Sequence, residues 1–163
     1  MTNGVRVYGE VFDRVAGLLY DYVQCLDDDR LEEWPAFFIE QGRYRIMSRE
    51  NMAAGLPLCI LDYTHAGMMR DRVLVLRKTA VYSKVYDCHV VSAPRAFRLD
   101  DGSFRLQSGF TVHKTDKIDG NSWLFVAGHY DDVVVETQEG LRFREKTAVI
   151  DTYSVPNHLG API

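Results

Sequence analysis

The sequence predicts an α+β fold, with amphipathic helices from the first half packed on one face of a curved antiparallel sheet drawn mainly from the second. Three observations carry this. Apolar residues near the start recur at three- and four-residue steps, the pattern of a helix with one buried stripe. From His89 onward the apolar period falls to two, and Asp101-Gly102, Asp119-Gly120 and Glu139-Gly140 punctuate it as turns. Between these halves Leu26–Met47 (LDDDRLEEWPAFFIEQGRYRIM) leads from a helix end toward a strand, so the helices fold back on the sheet as a curled cone. Such a cone holds either a pocket or a partner surface.

The elements follow in order. Val11, Val15, Leu18, Leu19, Tyr22, Val23 and Leu26 give a first helix that ends in Asp27-Asp28-Asp29. Asp29 can cap a second helix, with Glu32 completing a capping box. Pro35 removes an amide donor and keeps that helix short or kinked, and Gly42 stops it before a strand carrying Tyr44 and Ile46. Ser48–Asp62 reads as a loop with a brief extended piece, Leu58–Leu61. Ala66, Met69, Val73, Leu76 and Ala80 form a third helical stripe capped by Asp62 or Thr64. His89–Leu99 is a strand broken near Pro94, and Phe104, Leu106, Phe110 and Val112 alternate in the next. Trp123–Thr137 is a long strand in which Gly128 marks a bulge or bend. Leu141–Tyr153 closes the sheet, with Arg142, Arg144 and Lys146 on one water-facing side. No linker or repeat divides residues 1–163, which form one domain.

The bulk numbers exclude several classes. A chain of 163 residues, 47% hydrophobic and 12% aromatic, can bury a real core. A net charge of −4 gives no reason to expect nucleic acid or an anionic membrane as partner. The start, MTNGVRVYGEVFDR, lacks the apolar segment of a secretory signal, and no apolar run approaches the roughly 18 residues of a membrane span. Cys25, Cys59 and Cys88 are scattered, which fits reduced thiols in the cytoplasm, and their apolar neighbours read as burial.

Three kinds of chemistry are weighed against these residues, and two stay open. His129 and Asp131 share a strand face and can reach one metal, with His113 or His158 as a third ligand of a facial iron site; a core or interface histidine is the competing reading. Cys88-His89 is the only adjacent Cys/His pair, and the two-Cys, two-His spacing of a Rieske cluster is absent. Leu141, Phe143, Glu145, Thr147 and Val149 share parity, so Glu145 points into the cone if that face is the concave one. A carboxylate there would act as a general acid or base, whereas a bulge would turn it outward and an Arg would pair with it. No phosphate loop, GxSxG elbow or basic aromatic stripe occurs.

The residues LYDYVQCLDDDRLEEWPAFFIEQGRYRIM are similar to the start of the beta (small) subunits of aromatic-ring-hydroxylating dioxygenases. The resemblance continues through RENMAAGLPLCILDYTHAGMMRDRVLVLRKT and YDCHVVSAPRAF and spans residues 10–153. Trp34, Gln41-Gly42-Arg43-Tyr44, Asp71-Arg72 and His89 narrow it within the nuclear-transport-factor-two-like cones, and the Gly55–Cys59 loop resembles hydroxylases of aromatic acids such as salicylate, anthranilate or terephthalate. The resemblance implies a non-catalytic structural subunit that holds no cofactor, with the Rieske iron-sulfur cluster and the mononuclear iron on a separate alpha (large) subunit. It implies a trimer of small subunits within a three-plus-three hexamer. Tyr86-Asp87-Cys88-His89 departs from the Arg-x-Arg-His run of many members, so contacts through those arginines do not transfer. Trp123, Phe125 and Tyr130 are candidates for the trimer interface, unless they fill the cone. The rival reading is a stand-alone cone enzyme, an isomerase, dehydratase or cyclase using Glu145 or His89; a small-ligand binding module is a third.

Overall fold

Period-two alternation in the second half produces one eight-stranded sheet, and the helical stripes of the first half cover it. The computed structural model describes residues 4–78, 85–152 and 159–163. The strands are β1 (Val5–Arg6), β2 (Phe38–Ser48), β3 (Leu61–Tyr63), β4 (Val85–Val91), β5 (Arg95–Arg98), β6 (Phe104–Asp116), β7 (Ser122–Thr137) and β8 (Gly140–Ile150). The helices are α1 (Gly9–Asp27), α2 (Arg49–Ala53) and α3 (Ala66–Lys78), with a 3-10 turn at Trp34–Phe37. Strand order is β1-β5-β6-β7-β8-β2-β3, and β4 pairs with a second stretch of β6. Pairing is antiparallel except for β2 with β8, where the chain returns parallel from its far end.

The α1 stripe buries Val15, Leu19, Tyr22, Val23 and Leu26 against the sheet. Facing them are Tyr44, Ile46, Leu106, Phe110, Val112, Tyr130, Phe143 and Ala148. The hairpins form at Gly102, Gly120 and Gly140, each with positive φ, which costs a glycine nothing. Pro94 lies between β4 and β5, as its missing donor requires.

Several expectations are corrected. The capping box and second α-helix do not form: Asp29 takes a left-handed φ of 56°, and Pro35 restricts the segment to the 3-10 turn. The Arg77 guanidinium instead draws in both carboxylates, with Nε 2.7 Å from Glu32 Oε1 and Nη1 2.9 Å from Asp29 Oδ1. Gly42 lies inside β2, where an added Cβ would stand 2.8 Å from the Ile39 carbonyl oxygen and 2.9 Å from Phe38 Cβ. Residues 48–62 include α2, capped by the Ser48 hydroxyl, which accepts from Asn51 N–H at 3.2 Å. Asp62 pairs with Arg43, and Thr64 donates its hydroxyl to the Met68 sulfur, so neither side chain serves as the expected cap. Gly128 is neither bulge nor bend: it stays in register, and its Cβ would fall 2.1 Å from the Val149 carbonyl oxygen. Ala80, Tyr153 and His158 lie outside the described residues.

The most consequential correction is in β8. Val133 pairs with Glu145 but Val134 pairs with Phe143, so Arg144 is an extra residue and side-chain parity switches there. The expected water-facing row of Arg142, Arg144 and Lys146 is therefore broken. Lys146 is turned inward with no exposed side-chain surface, and Glu145 is turned outward.

Candidate functional site: the closed cone and the outer sheet face

Aromatic rings fill the cone between α1, the 3-10 turn and the sheet. Trp34 stands edge-on to Tyr44 at 5.3 Å and to Phe38 at 6.1 Å, Tyr22 edge-on to Phe143 at 5.5 Å, and Phe110 stacks on Tyr130 at 4.2 Å. Ile163, only 2% exposed, reaches the same space. Its N–H donates to the Tyr44 hydroxyl at 2.8 Å, and its carbonyl accepts from the Tyr22 and Tyr44 hydroxyls, each at 3.2 Å. Arg72 Nε donates to the Gly160 carbonyl at 2.8 Å and holds this last stretch against α3.

One ion pair lies within these rings. Lys146 Nζ donates to Asp132 Oδ2 at 2.9 Å, and Thr147 N–H donates to Asp132 Oδ1 at 3.2 Å. The ammonium sits 3.6 Å from the Tyr130 ring centroid and 4.4 Å from that of Tyr22, a cation-π cage. Burial pushes the Asp132 carboxyl up to about 6 against the pull of Lys146, and burial lowers the lysine against the pull of Asp132. These groups are already paired and boxed in by rings, so the arrangement offers a structural anchor rather than a reagent to a substrate. Sequence reasoning missed it. Its available signal was Asp132 beside Val133-Val134-Val135 and Lys146 beside Thr147-Ala148-Val149, single charges set in apolar runs.

The residues singled out from sequence are scattered. His89 is held by Asp27 at the end of α1: the carboxylate lies 2.6 Å from Nδ1 and accepts from His89 N–H at 2.9 Å. This contact ties β4 to α1. Glu145 faces outward and pairs with Arg45 at 3.2 Å, as in the bulge alternative. Asp131 is engaged by Arg105, His129 stands on β7 beside it, and His113 Nε2 is 3.2 Å from the Thr111 hydroxyl. Among the described residues no group of three or more His, Cys, Asp or Glu side chains is placed to hold a metal ion. Of the three interface candidates, Phe125 and Tyr130 are buried in this chain's own core, as in the cone-filling alternative, and Trp123 stays 39% exposed. Cys25 is buried, where its thiol is pushed up to about 11, but Cys59 is half-buried and Cys88 exposed, contrary to expectation.

The outer face carries two different surfaces. Around β2, Arg43 makes a two-pronged pair with Asp62 of β3 at 2.8 and 2.6 Å and Arg45 bridges Glu145 and Thr147 of β8, while Arg105 of β6 pairs with Asp131 of β7. The Arg43 guanidinium holds the Asp62 carboxyl below its usual range. Three arginines and three carboxylates balance. Beyond them, β4 presents Tyr86, Cys88 and Val90, all exposed, in alternation with inward residues. Elsewhere an open groove runs between α1 and the β7–β8 turn, lined by Arg14, Asp21, Glu33, Phe37, Glu139 and Arg142.

Comparison with known proteins decides what this cone is. The family model described as ring hydroxylating beta subunit matches residues 22–157. The chain belongs to the ring hydroxylating beta subunit family. It is 38% identical over 163 residues to the anthranilate 1,2-dioxygenase small subunit of Burkholderia cepacia, covering all of this chain and 98% of that one. It is 26% identical to the terephthalate 1,2-dioxygenase terminal oxygenase component subunit beta 1 of Comamonas sp, over 92% of this chain and 97% of the other. Among solved structures, a beta subunit from Novosphingobium aromaticivorans assigned to the aromatic-ring-hydroxylating dioxygenases superposes with a TM-score of 0.84 at 28% identity, covering 94% of this chain and 97% of that one. The protein is thus a small subunit of an aromatic-ring-hydroxylating dioxygenase with the nuclear-transport-factor-two-like cone, and this reading stands above that of a stand-alone cone enzyme.

Proposed function

We propose that this chain is the non-catalytic scaffold of a cytoplasmic, Rieske-type hydroxylase that degrades an aromatic acid. The large alpha subunit supplies the iron-sulfur cluster, the mononuclear iron and the substrate pocket, and three small subunits support three large ones. The observation that carries this is the filled cone: rings, Ile163 and a closed Lys146–Asp132 pair take the space a substrate would need. Kinship to a subunit named for anthranilate and another named for terephthalate supports an aromatic acid as the substrate of the assembled enzyme. The charge of −4 gives nucleic acid no foothold, and among the described residues no helix is long and apolar enough to cross a membrane.

Co-expression with the large subunit tests the proposal. The expected product is one complex of equal stoichiometry by native mass spectrometry, with all iron on the large subunit after separation of the chains. A small subunit that ignores its partner, or that carries stoichiometric iron itself, would contradict it.

A further inference from the structure

Residues 159–163 enter the cone without belonging to any strand or helix. Pro162 and Ile163 in this strap are buried, and Leu159 packs against the core. Four hydrogen bonds hold it, each to a side chain. Ile163 N–H donates to the Tyr44 hydroxyl at 2.8 Å, and the Tyr22 and Tyr44 hydroxyls both donate to the Ile163 carbonyl at 3.2 Å. Arg72 on α3 donates to the Gly160 carbonyl at 2.8 Å. Strands and helices are joined through backbone partners. The strap is instead held as a protein holds a ligand: a few polar side chains fix one carbonyl, and rings surround the apolar body beside it.

The groups around Ile163 have the composition of a binding site. Tyr22 and Tyr44 have no exposed surface, and both hydroxyls aim at one oxygen. Burial pushes both phenols well above their usual range, so each remains a donor at neutral pH. The Tyr130 hydroxyl, near enough to Tyr44 to be pushed up by it, is buried with no hydrogen-bond partner among the described residues. Trp34, Phe38 and Tyr63 stand around the Tyr44 ring. The fully buried charges of this interior, Lys146 and Asp132, pair with each other. A neutral occupant therefore suits it, whereas an ion would be left without a partner.

We propose that the space under the strap is a binding site for a small neutral aromatic carbonyl compound, that Ile163 is its built-in occupant, and that the Arg72–Gly160 contact is the latch. Displacing the strap frees the Tyr22 and Tyr44 hydroxyls for the carbonyl of the incoming molecule. The aromatic ring takes the place of Pro162 and Ile163. An apolar cavity on the order of 150 Å³ is enough to take up benzene. Apparent affinity follows the fraction of chains whose strap is out, and the latch keeps that fraction small. The inference concerns this chain alone and stands or falls separately from the assembly proposed above.

The test uses the full chain with benzamide as the probe, and carbon-13-labelled tyrosine rings so that NMR reads binding at Tyr22 and Tyr44. Benzamide should bind wild type weakly and shift both rings. Arg72→Ala releases the latch and should tighten binding about tenfold, the worth of one hydrogen bond from a charged donor. Ile163→Ala keeps the latch but weakens the plug, and should also tighten binding; if one release variant misfolds, the other decides. Adding Tyr22→Phe to Arg72→Ala should lose most of the gain for benzamide and none for toluene, which has the ring but no acceptor. Benzamide that leaves Tyr22 and Tyr44 unshifted in the release variants, or that binds them no more tightly than wild type, would overturn the inference. A Tyr22→Phe loss equal for toluene, or benzoate binding more tightly than benzamide, would overturn the assigned ligand class.

Discussion

The two faces of this sheet are built from alternate residues of the same strands, yet they are finished to different degrees. The inner face is complete within one chain. Tyr130, Phe143 and Val112 meet α1 residues and aromatic rings, and its fully buried charges, Lys146 and Asp132, pair with each other. The outer face pairs its charges through Arg43, Arg45 and Arg105, then leaves Val90 and Leu124 exposed. The inside is occupied by its own packing, and the outside is what remains available to partners.

The comparison is broken most severely from within. Asp132→Leu alone strands a buried ammonium and should cost about 3–5 kcal/mol in urea unfolding, whereas Asp132→Leu with Lys146→Met should recover most of that loss. The same pair has a pH signature. Burial raises the Asp132 carboxyl from 3.8 to about 6, so the folded state holds that proton more tightly, and the stability it confers is full below 3.8 and fades as pH rises through about 6. Carbon-13 NMR should show this carboxyl titrating near 6, and Lys146→Met should move the midpoint higher, because the lysine is what restrains it.

Smaller effects follow outward. Gly128→Ala places a Cβ on the Val149 carbonyl oxygen and should cost roughly 1–3 kcal/mol through backbone displacement of β8, read as a lowered thermal midpoint. On the outer face, a double-mutant cycle for Arg43→Ala and Asp62→Ala should return about 0.2–1 kcal/mol, since both side chains are part-exposed. Smallest of all, Val90→Ser and Leu124→Ser should each change the stability of the separated chain by less than about 0.5 kcal/mol. A large stability loss at Val90 or Leu124, or a negligible one at Asp132, would reverse the account of the two faces.

Much of this was legible in the residues. The 3.6-residue stripe gave α1 within a few positions, and Asp-Gly and Glu-Gly pairs located the hairpins, because such signals are local. The combination of Trp34, Arg43-Tyr44, Asp71-Arg72 and His89 pointed to the family that the comparisons establish. What was hidden depends on distant partners. Strict alternation in β8 placed Lys146 in water and left Glu145 free to face the cone, but one extra residue at Arg144 exchanged their sides. Asp29 and Glu32 fit a local cap, yet Arg77, remote in sequence, outbid it with a chelating guanidinium. Phe125 and Tyr130 could not be told from interface residues by type, since cores and interfaces both favour aromatics.

The central claim is that the cone interior supports the enzyme without taking part in its chemistry. The most direct measurement is turnover per large-subunit iron, in an intact complex carrying Asp132→Leu with Lys146→Met, on the substrate the wild-type complex oxidises. The account predicts wild-type turnover and an unchanged pH profile. A complex of full mass and full iron content that has lost turnover, or whose pH profile has shifted, would contradict it.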